Sequence, residues 1–172
     1  MSVVISGLGP AHERGDFDCG EPALNSFLQK LARQQAKRDF NRTYVVCASG
    51  ETRIRGYYAI RSGSMAFDNW PPGLQLPRYP VPVARIGRLA VDLREQGNGV
   101  GAALLQHAMH LAASLAQQIG VHAVVVDAKH EAAAAFYARY GFQRFPEQKL
   151  CLFLSTAVIR QALVAANPSS AR

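Results

Sequence analysis

"RLAVDLREQGNGVGAALLQHAMHLAASLAQQIG", Arg88–Gly120, decides how the chain is read. An apolar run and a short charged link lead to three alternating glycines, Gly97, Gly99 and Gly101. An apolar-periodic segment follows, with Leu104, Ala108, Leu111, Leu115 and Ile119 as its predicted buried stripe and Gly120 as its stop. The pattern predicts strand, glycine turn, helix. A helix start collects unpaired backbone N–H groups and the positive end of the macrodipole, which suits an anion and often a phosphate. Glycine lets the backbone approach that anion and adopt angles other residues resist.

Downstream, "VHAVVVDA" is a near-continuous apolar strand of the kind buried on both faces. Strand, helix, strand makes a βαβ unit, so a right-handed crossover and a parallel pair are expected. "EAAAAFYARY" predicts a short helix closed by Gly141, with Phe142 where a Schellman motif places its apolar contact. "KLCLFLSTAVI" predicts a last strand entering a short helix. Upstream, "VVISGL" predicts a strand and "DCGE" a capping box, with Asp18 as N-cap and Glu21 reaching back. Leu24, Phe27, Leu28 and Leu31 then mark one helix face, in a helical region running to about Asp39. "TYVVCAS" and "IRGYYAIRSGSMAF" predict two strands joined by a turn, and "ARIGRLAVD" another. The proline-rich "DNWPPGLQLPRYPVP" between them is long enough to predict a functional loop. The expected class is α/β with a mixed sheet, mostly antiparallel, and helices on both faces.

A chain of 172 residues with 49% hydrophobic content has the size and balance of one globular domain. We assign residues 1–163 to it and 164–172 to a disordered C-terminal tail. No run approaches a membrane span, and the N-terminus lacks a signal-peptide pattern, so a cytoplasmic protein is expected. Cys19, Cys47 and Cys151 fit neither a disulfide framework nor a zinc spacing and are read as free thiols. His107 and His110 stand three apart with no ligand set around them, so no metal is expected. The net charge of +7 is concentrated between Lys30 and Arg94, where twelve Lys/Arg face four Asp/Glu. Such an excess favours an acidic partner.

Three kinds of glycine loop bind phosphates in this setting. A P-loop needs Gly-Lys-Ser/Thr, and no lysine follows these glycines. A dinucleotide fingerprint needs G-x-G-x-x-G and an acid about twenty residues on, and neither is present. "QGNGVGAALL" instead resembles the pyrophosphate arm of the GNAT acetyltransferases, Q/R-x-x-G-x-G/A, at Gln96, Gly99 and Gly101. "LAVD" resembles that family's splayed fourth strand, and "AAAAFYARYGF" its segment after the fifth strand. These pieces agree in order and spacing across residues 85–142. "FDCGEPALNSFLQKLARQQAKRDFNRTYVV" and "GRLAVD" are similar to GNAT toxins of bacterial toxin–antitoxin modules. The resemblance then extends over residues 3–155.

The resemblance implies a single-domain GNAT fold with a splayed parallel pair at the coenzyme site. It implies acetyl-CoA as co-substrate, held by Leu89, Ala90, Val91, Gln96, Gly97, Asn98, Gly99, Val100, Gly101 and Ala102, with Phe136 packed on it. Gln96 either donates to a phosphate or caps the loop. Tyr137 stands where the family has a tyrosine that protonates the leaving thiolate. The toxin subgroup acetylates the α-amine of aminoacyl-tRNA, blocking translation, and is held by an antitoxin with a ribbon–helix–helix end. Arg33, Lys37, Arg38, Arg42, Arg78, Arg85 and Arg88 are the candidate contacts for tRNA phosphates, and a homodimer would extend that surface. No carboxylate stands out as general base. An α-amine titrates near ~7.7–8.0 against ~10.4 for a lysine, so an aminoacyl acceptor needs less help from one. The competing readings are a GNAT for a small-molecule amine or a protein N-terminus, and an idle GNAT-like binding module.

Overall fold

The structure is a computed structural model and describes residues 2–166. Seven strands hydrogen-bond in the order β1-β2-β3-β4-β5-β7-β6. By compactness the chain divides into Met1–Arg61 with Ile86–Ala108, and Ser62–Arg85 with Met109–Arg172. β3 (Gly56–Met65), β4 (Val81–Val91) and α3 (Val100–Leu115) each run through both units.

In the first unit β1 (Val3–Gly7) pairs antiparallel with β2 (Arg42–Ala48), and β2 with β3. The buried side chains of β2 and β3 meet a helical segment that opens at α1 (Pro22–Ser26). The capping-box expectation is corrected here. The helix starts at Pro22, whose missing N–H and fixed φ suit a first helical position. Asp18 lies outside the helix: its Oδ1 accepts from the Gly20 N–H and from Asn25 Nδ2, both at 2.9 Å. A π-helical turn, Phe27–Leu31, then separates α1 from α2 (Ala32–Lys37). Its wider turn holds one extra residue and shifts the phase of the face. Leu24, Phe27 and Leu28 are buried as predicted, but Leu31 turns outward and Ala32 takes its place in the core.

That core gathers Phe17, Phe27, Leu28, Val45, Tyr57 and Ala90. Tyr57 stacks on Phe27 with ring centres 6.1 Å apart, and its hydroxyl donates to the Leu24 carbonyl at 2.7 Å. Burial holds that phenol's pKa well above its ordinary value. On the other face of β3, a Cβ at Gly56 would come to 3.0 Å from the Ala90 carbonyl oxygen, Leu104 and Val100. Glycine is therefore what lets the start of α3 lie close to the sheet.

In the second unit the His122 N–H, just ahead of β5 (Ala123–Asp127), donates to the Pro82 carbonyl at 2.8 Å. Arg85 meets Asp127 three residues along β4, so β4 and β5 run parallel, as the βαβ reading requires. β5 pairs antiparallel with β7 (Cys151–Ser155), which also carries the two-residue β6 (Gln143–Arg144). Trp70, from the proline-rich loop, is buried against Phe145 and Phe153 at 5.0 and 4.7 Å. α3 stops at Leu115, where the bonds from Gln117 and Gln118 tighten to i→i−3. Ile119 is therefore exposed rather than part of the stripe, and Gly120 lies beyond the helix end it was expected to make. α5 (Thr156–Ala166) takes the first three residues of the expected tail; 167–172 lie outside the described residues.

The Gly56 contacts predict a local cost. Gly56→Ala should lower unfolding free energy by about 1–3 kcal/mol, the usual cost of overpacking. Gly87→Ala, where a Cβ meets nothing within 4 Å, is the control and should be near neutral. Urea denaturation of both variants checks this; equal stability would mean the packing at Gly56 is loose.

Candidate active site

The end of β4 is fixed before the glycines begin. Ala90 is buried in the first unit's core, while Leu89 and Val91 alternate onto the other face and are half-buried. The Asp92 N–H donates to the Arg55 carbonyl, and the Leu93 N–H to that of Asp18. Asp92 is only 1% exposed. Its Oδ1 accepts from the Arg94 N–H and Nε, both at 2.9 Å, and its Oδ2 from Arg94 Nη2 at 3.0 Å and the Asp18 N–H at 3.2 Å. The Arg94 guanidinium is the main reason that the carboxyl titrates low, at about 2. Glu95, in the short 3-10 turn Leu93–Glu95, takes Arg53 at 2.6 Å and Arg55 at 3.4 Å.

Gln96 caps the loop in this structure. Its Nε2 donates to the carbonyls of Val91 (3.0 Å) and Cys19 (3.3 Å), which ties the loop back to the strand end. Gly97 and Gly99 have φ of +85° and +80°. This left-handed backbone favours glycine strongly. A Cβ at either would meet nothing within 4 Å, so the backbone angle is what requires glycine there. The Ala103 N–H donates to the Gly99 carbonyl, starting the helical ladder. The N–H groups of Val100, Gly101 and Ala102 precede that ladder, as an anion cradle requires. Asn98 is exposed and Val100 buried.

In the second unit Tyr137 lies on α4 (Glu131–Arg139), which opens with His130 Nδ1 accepting from the Ala133 N–H. The helix closes by the predicted Schellman motif. Gly141, at φ +94°, donates to the Ala138 carbonyl, and the Phe142 N–H to that of Tyr137. The rings of Phe142 and Tyr137 meet edge-on at 5.8 Å. The cap thus grips Tyr137 by backbone and by ring. Tyr137 is 4% exposed. Burial first, and then the Asp127 carboxylate, holds its phenol pKa above the ordinary value, so it keeps its proton at neutral pH. Phe136, half-buried, packs edge-on against both Tyr137 and Tyr140.

The basic residues divide by what holds them. Arg85 is held by a carboxylate: its Nε and Nη2 both donate to Asp127 at 2.7 Å. Arg42 pairs with the exposed Asp39. Arg88 lies 4.0 Å over the Phe27 ring, and Arg38 4.9 Å over the exposed Phe40. Lys37 and Arg78 are exposed, and Arg33 is half-buried.

Residues 40–144 match the acetyltransferase (GNAT) domain family. The chain belongs to the GNAT acetyltransferase family. It is an acetyl-CoA-dependent N-acetyltransferase. It is 38% identical to the tRNA-acetylating toxin of Mycobacterium tuberculosis (strain ATCC 25618 / H37Rv), over 86% of this chain and 88% of that one. AtaT complexed with acetyl-methionyl-tRNAfMet superposes with a TM-score of 0.87 at 31% identity, over 94% of this chain and 99% of that one. A tyrosine-to-phenylalanine mutant of AtaT, bound to the C-terminus of the antitoxin AtaR and to acetyl-CoA, superposes at 0.81 with 30% identity, over 95% and 99%. This GNAT chain presents the elements its sequence announces, a glycine arm at a helix start and a tyrosine gripped by a helix cap. Sequence reading missed the carboxylate–arginine frame of Asp92, Glu95, Arg53 and Arg55. The Asp92-x-Arg94 pair was its one local signal.

Asp92 sets an acid limit. Its folded pKa lies below the ordinary 3.8, so its contribution is fully present above about pH 4 and is lost as pH falls toward 2. The contribution is on the order of 1–2 kcal/mol, discounted because its partner Arg94 is half-exposed to solvent. Acid titration of stability should therefore bring wild type and Asp92→Asn together between pH 4 and 2. Parallel curves through that window would deny Asp92 the role.

Proposed function

We propose that the protein acetylates the α-amine of aminoacyl-tRNA and acts as a translation-blocking toxin. The protonated, buried Tyr137 carries the chemical part of this reading. Unpaired cations on the first unit carry the substrate part. Among the described residues, Lys37, Arg38 and Arg88 have no carboxylate partner. Bound acetyl-CoA supplies the acetyl thioester. The N–H groups around Gly97–Ala102 hold its pyrophosphate, Leu89 and Val91 present main-chain groups to its pantetheine, and Phe136 packs against it. The neutral α-amine forms the new C–N bond and the C–S bond breaks. Tyr137 delivers its phenolic proton to the departing sulfur and is reprotonated from solvent. The extra proton of the acetylated nitrogen passes to water. Lys37, Arg38, Arg88, Arg33, Arg42 and Arg78 position the phosphates.

The further partner is an antitoxin with a ribbon–helix–helix DNA-binding end, and the toxin works in the cytoplasm as a homodimer. Among the described residues, no helix is long and apolar enough to cross a membrane.

Labelled acetyl-CoA should transfer to charged tRNA, and not to uncharged tRNA or free amino acids. The rate should fall as salt rises, because phosphate contacts release counterions. Tyr137→Phe should lower turnover roughly 10²–10⁴-fold with acetyl-CoA affinity unchanged. Label on small amines with none on charged tRNA would replace the toxin reading by the small-amine one. Undiminished turnover in Tyr137→Phe would reduce that residue to packing.

A further inference from the structure

α2 ends in the same cap as α4, and the comparison isolates Phe40. The Asp39 N–H donates to the Ala36 carbonyl at 3.1 Å and the Phe40 N–H to that of Gln35 at 3.0 Å, the bond pair of a Schellman motif. In α4 the same two places hold Gly141 and Phe142, and Phe142 is 4% exposed. In α2 they hold Asp39 and Phe40, and Phe40 is 58% exposed. The motif usually sets its apolar residue against an apolar one in the last turns of the helix. Those places in α2 are Gln34 and Gln35, so the ring finds no apolar partner in the cap it belongs to.

The turn is nevertheless held. Asp39 has φ of +60° and is the one non-glycine residue at positive φ among the described residues. Asp adopts that conformation more readily than most side chains, though glycine does so at less cost. What Asp39 adds is an anchor. Its Oδ1 accepts from Arg42 Nη2 at 2.6 Å, and Arg42 Nη1 donates to the Ala36 carbonyl at 2.8 Å. Asn41 Nδ2 donates to Gln35 Oε1 at 2.6 Å. Phe40 is thus presented to solvent by a turn that is tied to the helix on both sides of it. The Arg38 guanidinium lies over one face of the ring, 4.9 Å from its centre. Lys37 is exposed in the same turn, and the stretch Pro22–Arg38 contains no Asp or Glu.

We infer that Phe40 is a stacking platform for an unpaired base of the RNA acceptor, with Arg38 behind the ring and Lys37 for a neighbouring phosphate. This rests on the reading of charged tRNA as the acceptor and adds to it a contact that is not electrostatic. Stacking needs one open aromatic face, and a guanidinium beside the ring contributes to it. A protein segment that docked through apolar side chains would need an apolar patch, and Gln34, Gln35, Asp39 and Asn41 of this turn are polar. A second copy of the chain docked through the same face would set Lys37 and Arg38 against their own equivalents, a like-charge contact. A base with its phosphate satisfies the ring and the cations together.

The test uses the full-length chain with a single-stranded RNA dodecamer carrying a 2-aminopurine base, and the same strand annealed into a duplex. Wild type should quench the 2-aminopurine of the single strand and not that of the duplex, because stacking needs an unpaired face. Phe40→Leu keeps an apolar residue and removes the ring. It should abolish the quench and weaken single-strand binding roughly tenfold. The slope of log K against log salt should stay the same, because no phosphate contact is lost. Phe40→Trp should keep both the quench and the affinity, whereas Lys37→Gln should make the salt slope shallower. Unchanged acetyl-CoA affinity in Phe40→Leu shows that this variant is folded. With charged tRNA as acceptor, Phe40→Leu should raise KM and leave kcat unchanged, the mark of lost uniform binding. A quench retained in Phe40→Leu, or an equal loss of affinity for the duplex, would overturn the inference. So would charged tRNA acetylated equally well by wild type and Phe40→Leu, which would leave the acceptor reading standing. Wild type that quenched the single strand but did not acetylate charged tRNA would keep the platform and remove that acceptor.

Discussion

The left-handed backbone at Gly97 and Gly99 is the constraint on which the first unit's chemistry depends. Between Val91 and Val100 the chain must leave a strand, reverse, and start a helix with its N–H groups turned outward. Two residues at positive φ accomplish this, and for any side chain larger than hydrogen each would cost about 1–2 kcal/mol. Glycine removes that cost but adds chain entropy. The surrounding polar frame opposes the entropy. Asp92 is tied to Arg94 and Asp18, Glu95 to Arg53 and Arg55, and Gln96 to Val91 and Cys19. The loop is therefore ordered by its own chain, and the proposed binding of the coenzyme pyrophosphate there would spend no energy on ordering it.

The second unit solves a different problem by a similar route. A general acid must keep its proton until the leaving group needs it. Burial would do this for Tyr137 in the proposed role, and a helix cap fixes its place. Gly141 permits the cap, Phe142 supplies both its hydrogen bond and its ring contact, and Tyr137 is the residue at the receiving end of both. The same glycine chemistry that opens α3 thus closes α4. In each case a polar or aromatic neighbour turns a permissive residue into a fixed geometry.

What could be read from the sequence was local. The Schellman closure of α4 needs only a glycine and the next apolar residue, and it stands where "RYGF" placed it. The glycine arm and the parallel crossover were equally legible, because strand, turn and helix adjoin in the chain. The π turn at Phe27–Leu31 was not, because Leu24, Phe27 and Leu28 fit an α-helix as well as they fit its first part. Only the outward Leu31 and inward Ala32 betray the extra residue. The pairing of Arg85 was hidden for the opposite reason: its partner Asp127 lies forty-two positions away, and a sequence has no signal for such a pair. The frame around Asp92 likewise draws Asp18, Arg53 and Arg55 from far upstream. The charge excess was visible, but which cations are spent on carboxylates was not.

The central claim is that a braced, left-handed glycine loop at the start of α3 holds the coenzyme. Isothermal calorimetry with acetyl-CoA on wild type, Gly99→Val and Gln96→Leu tests it most directly, with circular dichroism to confirm that each variant is folded. The account predicts a clear binding heat for wild type, none for folded Gly99→Val, and weakened binding for Gln96→Leu with a larger entropic penalty, because the loop must then be ordered by the ligand. Wild-type affinity in Gly99→Val would contradict it.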